Sequence, residues 1–377
     1  MAQVWNRTPQ KVVALAVIAQ GVRLLAPLLD IGLRREQKHV PSPHLLVLEF
    51  GNIGDIVLLT PFLAELRSFF PGCSITLLAK ANACEVLQGT GLVDDYLEAE
   101  RLLPRQGSSY DLRGYDWKAV RAAVAQLRER RFDVAFQCRL HIREHVLLRV
   151  SGSRRTVGCA FGTGDRLVTD RVRYDDVNRH KARDWLDLLE PFGGSQTVPQ
   201  PQLSVSAEEH SRAREFLAQA GVLPGERVVG IHPGASLPEK RWPVERFTAV
   251  ADRIAEYPGV RVIGFIDPEG HGAELLRNRA VIGARTNLRQ LLALLDQSSL
   301  LVCNDSGPMH FAAAAGVPTV ALFGLGDPRW FGPVGSAHRV LVAPAGDLRN
   351  IPVADVMTAV DEVLAVTPPG SNAVRSD

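Results

Sequence analysis

The sequence predicts an α/β protein in which two doubly wound parallel sheets face a central cleft. Three observations carry this. The chain has 377 residues, more than the about 250 to 300 at which a single core stops growing. In both halves, short apolar runs of the kind buried on both faces of a parallel sheet alternate with stretches of helical spacing. Glycine-bearing turns follow several of those runs and open the next helix, which is where open α/β sheets gather ligands.

The first domain is expected over 39–198. It opens with the apolar run 45–50, read as a buried strand. The turn Gly51-Asn52-Ile53-Gly54-Asp55 then leads into helical spacing at 56–70, which Pro71-Gly72 stops. A strand at 74–79 and a helix at 81–88 complete a βαβα start. Residues 104–117, rich in Gly, Ser, Tyr and charge, form a long loop before a helix at 118–131 and a strand at 133–138. The stretch 139–155 is crowded with Arg and His. Pro199 and Pro201, within 193–206 where no periodicity is clear, mark the linker. The second domain, 199–350, repeats the alternation. Its order is strand 228–232, loop 233–243, helix 244–256, strand 260–266, helices 273–279 and 288–297, strand 300–303, helix 309–315 and strand 319–323. Residues 351–377 hold a last helix, 353–364, placed to return and brace the first domain, and a disordered tail from 367.

Residues 1–38 are expected to be an amphipathic helical extension. Residues 12–33 are largely apolar after Arg7 and Lys11, but Gln20, Arg23, Pro27 and Asp30 interrupt them. A bilayer span needs roughly 20 apolar residues in a row, so spanning is not expected. Three readings stay open: a signal-peptide core ending near Ala19, a surface helix setting Arg23, Arg34 and Arg35 on an anionic membrane face, or a helix packed on the first domain.

With 43 basic against 41 acidic residues and a net charge of +2, no global field draws the chain to nucleic acid. Cys73, Cys84, Cys138, Cys159 and Cys303 form no CxxC pair or Cys/His cluster, which argues against a zinc site or a disulfide framework and suits a reducing cytosol. The composition, 46% hydrophobic and 22% charged, is that of a globular protein with a real core.

The chemistry concentrates in three loops. Asp55 stands where a helix N-terminus would otherwise hold a phosphate, and like charge excludes a phosphate cradle there. Its carboxylate suits a general base aimed into the cleft or an ordinary helix cap, and spacing alone favours the cap. In the loop Asn304-Asp305-Ser306-Gly307-Pro308-Met309-His310, Pro308 sits near the first helical position, and Ser306 and Gly307 offer backbone N–H groups to a diphosphate. Asp305 is expected to face a hydroxyl, a backbone donor or His310 rather than a phosphate, and His310 to donate to the departing diphosphate. Lys240 and Arg241, on a third loop after strand 228–232, are cations suited to charge developing on a leaving nucleoside diphosphate. No DxD or HExxH arrangement is apparent, so this reading has no metal and no cofactor. No GxGxxG appears either, which sets a dinucleotide oxidoreductase last.

At these residues the chain resembles the heptosyltransferases of bacterial lipopolysaccharide biosynthesis, glycosyltransferase family nine, over about 45–333. The resemblance implies the GT-B fold, two Rossmann-like domains. Gly54-Asp55 with Thr60-Pro61 matches the family's opening motif, which makes Asp55 the base on the acceptor hydroxyl and reverses the preference for a cap. Asn52, Gly54 and Arg143 fall on the acceptor side. Pro233-Gly234 with Lys240-Arg241-Trp242-Pro243 makes Lys240 a donor-phosphate ligand, beside Ser306, Gly307 and His310 of the intact Asn-Asp-Ser-Gly-x-x-His signature. Phe323-Gly324 and Asp327-Pro328 follow it. Asp305 and Glu274, with Glu269 as the alternative to Glu274, are placed at the donor sugar and nucleoside. Arg143, Ser151-Gly152 and His180 also match, whereas Glu49 replaces a common Arg or Lys and Gln137-Cys138-Arg139-Leu140 replaces Asp-Leu-Gln-Gly.

The resemblance implies an inverting, metal-independent enzyme moving heptose from ADP-heptose to a lipopolysaccharide-core-like or other glycan acceptor, in the cytoplasm and in reach of the inner-membrane face. A nucleotide-sugar epimerase of related fold and a non-catalytic sugar-nucleotide-binding protein are the alternatives.

Overall fold

The computed structural model describes residues 42–104, 112–139, 141–159, 167–173, 180–194, 197–335 and 337–366. The N-terminal helix expected within 1–38, residues 105–111 of the long loop and the tail from 367 lie outside them.

The first sheet contains β1 (His44–Glu49), β2 (Ser74–Ala79), β3 (Asp95–Glu98), β4 (Val134–Gln137), β5 (Arg155–Cys159) and β6 (Asp170–Val172). Its order is β3-β2-β1-β4-β5-β6. The second contains β7 (Arg227–His232), β8 (Val260–Ile266), β9 (Val281–Arg285), β10 (Leu300–Asn304), β11 (Thr319–Phe323) and β12 (Arg339–Val342), in the order β12-β11-β10-β7-β8-β9. All pairings are parallel. Numbered from its own first strand, each sheet runs 3-2-1-4-5-6, so each winding reverses between its first and fourth strands. The central strands explain the apolar runs: every residue of β10 is buried, as are Leu45 to Glu49 of β1.

The connecting helices are α1 (Ile53–Phe69), α2 (Asn82–Leu87), α3 (Trp117–Glu129), α4 (Ile142–Val150), α5 (Lys181–Leu186), α6 (Ala207–Gln219), α7 (Val244–Ala255), α8 (Leu288–Asp296), α9 (Gly307–Ala314), α10 (Pro328–Phe331) and α11 (Val353–Val366). Helix α1 carries Pro61 in its interior, which leaves the Val57 carbonyl without its usual donor. Thr60 Oγ1 donates to that carbonyl at 2.8 Å, and the same hydroxyl accepts from the Gln202 backbone N–H at 2.9 Å. The Thr-Pro pair thus repairs its own helix and ties down the segment joining the two sheets.

Two expectations change. Helix α11 packs on α7 and on β10, β11 and β12, burying Val356, Val360, Val363 and Leu364 with Val250, Ile254, Val302 and Val320. It braces the second sheet rather than the first, because its apolar stripe matches that face. The helix expected at 273–279 is a 3-10 turn, Ala273–Arg277, entered through Gly272 at φ 100°.

Candidate active site

Both winding reversals place loops at the carboxyl ends of neighbouring strands, and the fold brings the two sets together. Helices α1 and α9 pack across the boundary between the sheets. A Cβ built on Gly54 would lie 2.7 Å from His310 Cδ2, and one on Gly307 would lie 3.5 Å from Ile53 Cβ. The loop carrying Asp55 and the loop carrying Ser306 and Gly307 are therefore in van der Waals contact, with glycine at each point of closest approach. His180 spans the same boundary, donating from Nε2 to the Gly332 carbonyl at 2.9 Å while its Nδ1 accepts from Ala182 N–H.

In the second sheet the strand β10 ends in Asn304, fully buried. Its Oδ1 accepts from Trp242 N–H at 3.0 Å, and its Nδ2 donates to the Pro233 carbonyl at 2.8 Å. One side chain thereby fixes both ends of the Pro233 to Trp242 loop, a role that spacing did not reveal. Trp242 is anchored again through Nε1 on the Ile351 carbonyl. So held, Lys240 reaches Asp305, with Nζ 2.6 Å from Oδ2. Asp305 is buried, and its partner is Lys240 rather than a hydroxyl, a backbone donor or His310. An ammonium has three donors, so two remain for a diphosphate. Ser306 is the N-cap residue of α9, and its Oγ donates to the Asn304 carbonyl, which leaves the first N–H groups of that helix free of a side-chain cap. Burial, then the charges of His180 and Lys240, push His310 down to about 3. A ring so placed can offer a hydrogen bond at neutral pH but no positive charge.

In the first sheet, Asp55 takes the capping position that its spacing favoured. Its Oδ2 accepts from Asn52 N–H at 2.8 Å within a capping box, and the carboxylate remains partly exposed, at 21%. Arg143 stacks over Phe50 at 5.6 Å and pairs with Glu144 at 3.2 Å. Glu49 and Arg139, two of the departures from the family pattern, are joined at 3.0 Å directly behind Asp55. Glu274 lies half-buried on the 3-10 turn after β8, one strand away from β7. Sequence spacing showed no metal arrangement, yet Asp267, Glu269 and His271 each bring a ligand atom to within 4.8 Å of the others. Asp267 accepts from both His271 N–H and Nδ1 at 2.8 Å, which closes this loop on itself.

Two doubly wound sheets with facing reversal points, a carboxylate at one and a lysine beside a helix N-terminus at the other, make up a glycosyltransferase of the GT-B fold. The profile of glycosyltransferase family 9 (heptosyltransferase) matches residues 120–356, and the chain belongs to that family. Over 310 residues it is 23% identical to the lipopolysaccharide core heptosyltransferase OpsX of Haemophilus influenzae, covering 79% of this chain and 83% of that one. The structure of a family 9 glycosyltransferase from Veillonella parvula superposes with a TM-score of 0.74 at 24% identity, covering 88% of this chain and 99% of the other. Escherichia coli ADP-heptose lipopolysaccharide heptosyltransferase II superposes with a TM-score of 0.71 at 24% identity, covering 85% and 98%. No helix among the described residues is long and apolar enough to cross a membrane.

Proposed function

We propose that this protein is an inverting, metal-independent heptosyltransferase, moving heptose from ADP-heptose to a lipopolysaccharide-core-like glycan at the cytoplasmic face of the inner membrane. The observation that carries the reading is the contact between Gly54 and His310, which sets the Asp55 loop against the Lys240, Ser306 and Gly307 loops. Asp55 removes the acceptor hydroxyl proton, and the oxygen attacks the anomeric carbon as its bond to the diphosphate breaks. The negative charge that develops on the diphosphate meets Lys240, the Ser306 and Gly307 N–H groups at the start of α9, and neutral His310. Asp305 holds Lys240 in place, and Glu274 with Asp305 lines the sugar and nucleoside end. Asn52, Gly54 and Arg143 face the acceptor. The donor and acceptor follow the relatives' names, and the preserved donor-side motif supports them.

Asp55→Ala is expected to abolish transfer while leaving ADP-heptose binding within about twofold, since Asp55 acts only on the acceptor. Lys240→Ala is expected to weaken donor binding about 10- to 100-fold, the worth of a charge-assisted contact. Calorimetric titration and single-turnover transfer separate the two. Full turnover by Asp55→Ala would refute the base.

A further inference from the structure

Behind the Asp55 loop lies a buried group of charges that the transfer chemistry does not use. Glu49, the last residue of β1, has no exposed surface, a rare setting for a carboxylate unless it is paired. Its Oε1 accepts from Gly51 N–H at 2.5 Å and from Arg139 Nη1 at 3.0 Å, and its Oε2 has no partner among the described residues. The same Arg139 Nη1 lies 4.0 Å from Asp55 Oδ2. A Cβ on Gly51 would collide with Asp55 Oδ2 and would sit 2.6 Å from Arg139 Nη1, so only glycine lets the three groups converge. From α4, Glu144 Oε2 lies 3.8 Å from Arg139 Nε and accepts from Gln137 Nε2 at 2.8 Å. From α5, Lys181 acts on Glu49 while paired with Asp184; the buried Cys138 thiol, pushed up by burial, His141, pushed down by burial, and Arg143, paired with Glu144, also face the group. One guanidinium is thus shared by three carboxylates, among them the base.

We propose that Glu49 is a positioning residue for transfer, acting through Arg139 to hold Asp55 by its Oδ2 and to set how strongly Asp55 draws the acceptor proton. This rests on the reading of Asp55 as base; the proton itself still passes from the acceptor hydroxyl to Asp55. When Glu49 is protonated, the guanidinium charge falls undivided on Asp55 and weakens it as a base. When Glu49 is ionised it takes up part of that charge, and Asp55 strengthens. Burial first, then the Asp55 carboxylate, hold Glu49 far above the usual carboxylate range, at about 7. The exchange therefore falls at working pH, and kcat rises as pH climbs through it.

The test is kcat, KM and donor Kd with ADP-heptose and a heptose-deficient lipopolysaccharide core, from about pH 5.5 to 9, for the wild type, Glu49→Gln, Arg139→Gln and Asp55→Asn. The wild type should show an inflection near pH 7. Glu49→Gln should lose it and run about 10-fold below the wild-type plateau, with donor Kd unchanged. Arg139→Gln should lose the inflection as well, because Glu49 acts on Asp55 through that guanidinium. An unchanged profile in Glu49→Gln overturns the proposal. If Glu49→Gln does not fold, the partly exposed Arg139 decides: an inflection kept in Arg139→Gln overturns it equally. Full turnover by Asp55→Asn would overturn the base reading and this one with it. An inactive Asp55→Asn beside an unchanged Glu49→Gln profile would sink only the role of Glu49.

Discussion

Adding a single methyl group at Gly54 tests whether the apposition of the two loops is the reactive geometry. In Gly54→Ala the new Cβ would sit 2.7 Å from His310 Cδ2 and 3.2 Å from Nε2. Carbon atoms rest about 3.5 to 4.0 Å apart, so the imidazole or the α9 N-terminus must retreat by roughly 1 Å. Overpacking of this kind costs about 1 to 3 kcal/mol. Alanine in a helix is favoured over glycine by about 0.5 to 1 kcal/mol, which offsets part of that. Global stability should therefore fall by no more than about 2 kcal/mol, a shift of only a few degrees in Tm. Catalysis should suffer more, because a misplacement of about 1 Å between reacting groups can cost about 100-fold. The expected result is kcat lowered 10- to 100-fold with ADP-heptose affinity changed less. Steady-state transfer kinetics with a thermal melt of the same preparation read both quantities. Wild-type kcat in a stable Gly54→Ala protein would refute the claim that the observed contact is the catalytic arrangement.

Other perturbations probe separate links. Asn304→Ala strands two buried groups, Trp242 N–H and the Pro233 carbonyl, and at about 1 to 2 kcal/mol each should cost about 2 to 4 kcal/mol in urea denaturation while loosening the Lys240 loop. His310 titrates at about 3 in place of the ordinary 6.5, so the folded state favours its neutral form. Its contribution is fully present above about 6.5 and is lost as pH falls through the window between the two values. At pH 5 the loss amounts to about 2 kcal/mol, and His310→Gln should flatten that part of the stability profile relative to the wild type. Flotation with anionic liposomes should be strong for the full chain and weak for a protein beginning at His39; equal flotation would exclude an anchoring role for the first 38 residues.

The parts legible in the sequence are those whose signal is local. β1, β2, β4, β7, β8, β10 and β11 lie inside the sheets and read as apolar runs. Edge strands stand out less: β3 is Asp-Tyr-Leu-Glu and β6 is Asp-Arg-Val, both polar, while β9 (Val-Ile-Gly-Ala-Arg) and β12 (Arg-Val-Leu-Val) are short and partly exposed; β5 (Arg-Thr-Val-Gly-Cys) lies inside its sheet but carries no apolar run. The site divides the same way. Asp55, Lys240 and the loop from Asn304 stand at strand ends that the alternation exposes. The work of Asn304 depends on partners 62 and 71 residues away, and the Glu49–Arg139 pair joins positions 90 apart. Asn304 stood in a signature that did not say what it holds, and Glu49 and Arg139 stood as departures; only the sheet order brings their partners together. The intraloop closure of Asp267 on His271 likewise needed backbone geometry, since a DxExH spacing matches no common metal motif.

The central claim is transfer between two substrates, and the most direct measurement follows both at once. Purified protein is incubated with ADP-heptose, with and without a heptose-deficient lipopolysaccharide core, and ADP release is recorded alongside the mass of the glycan. Transfer predicts one ADP released per heptose gained by the glycan, and negligible release without acceptor. Nucleotide release at the same rate without acceptor, or an isomerised donor beside an unmodified glycan, would contradict it.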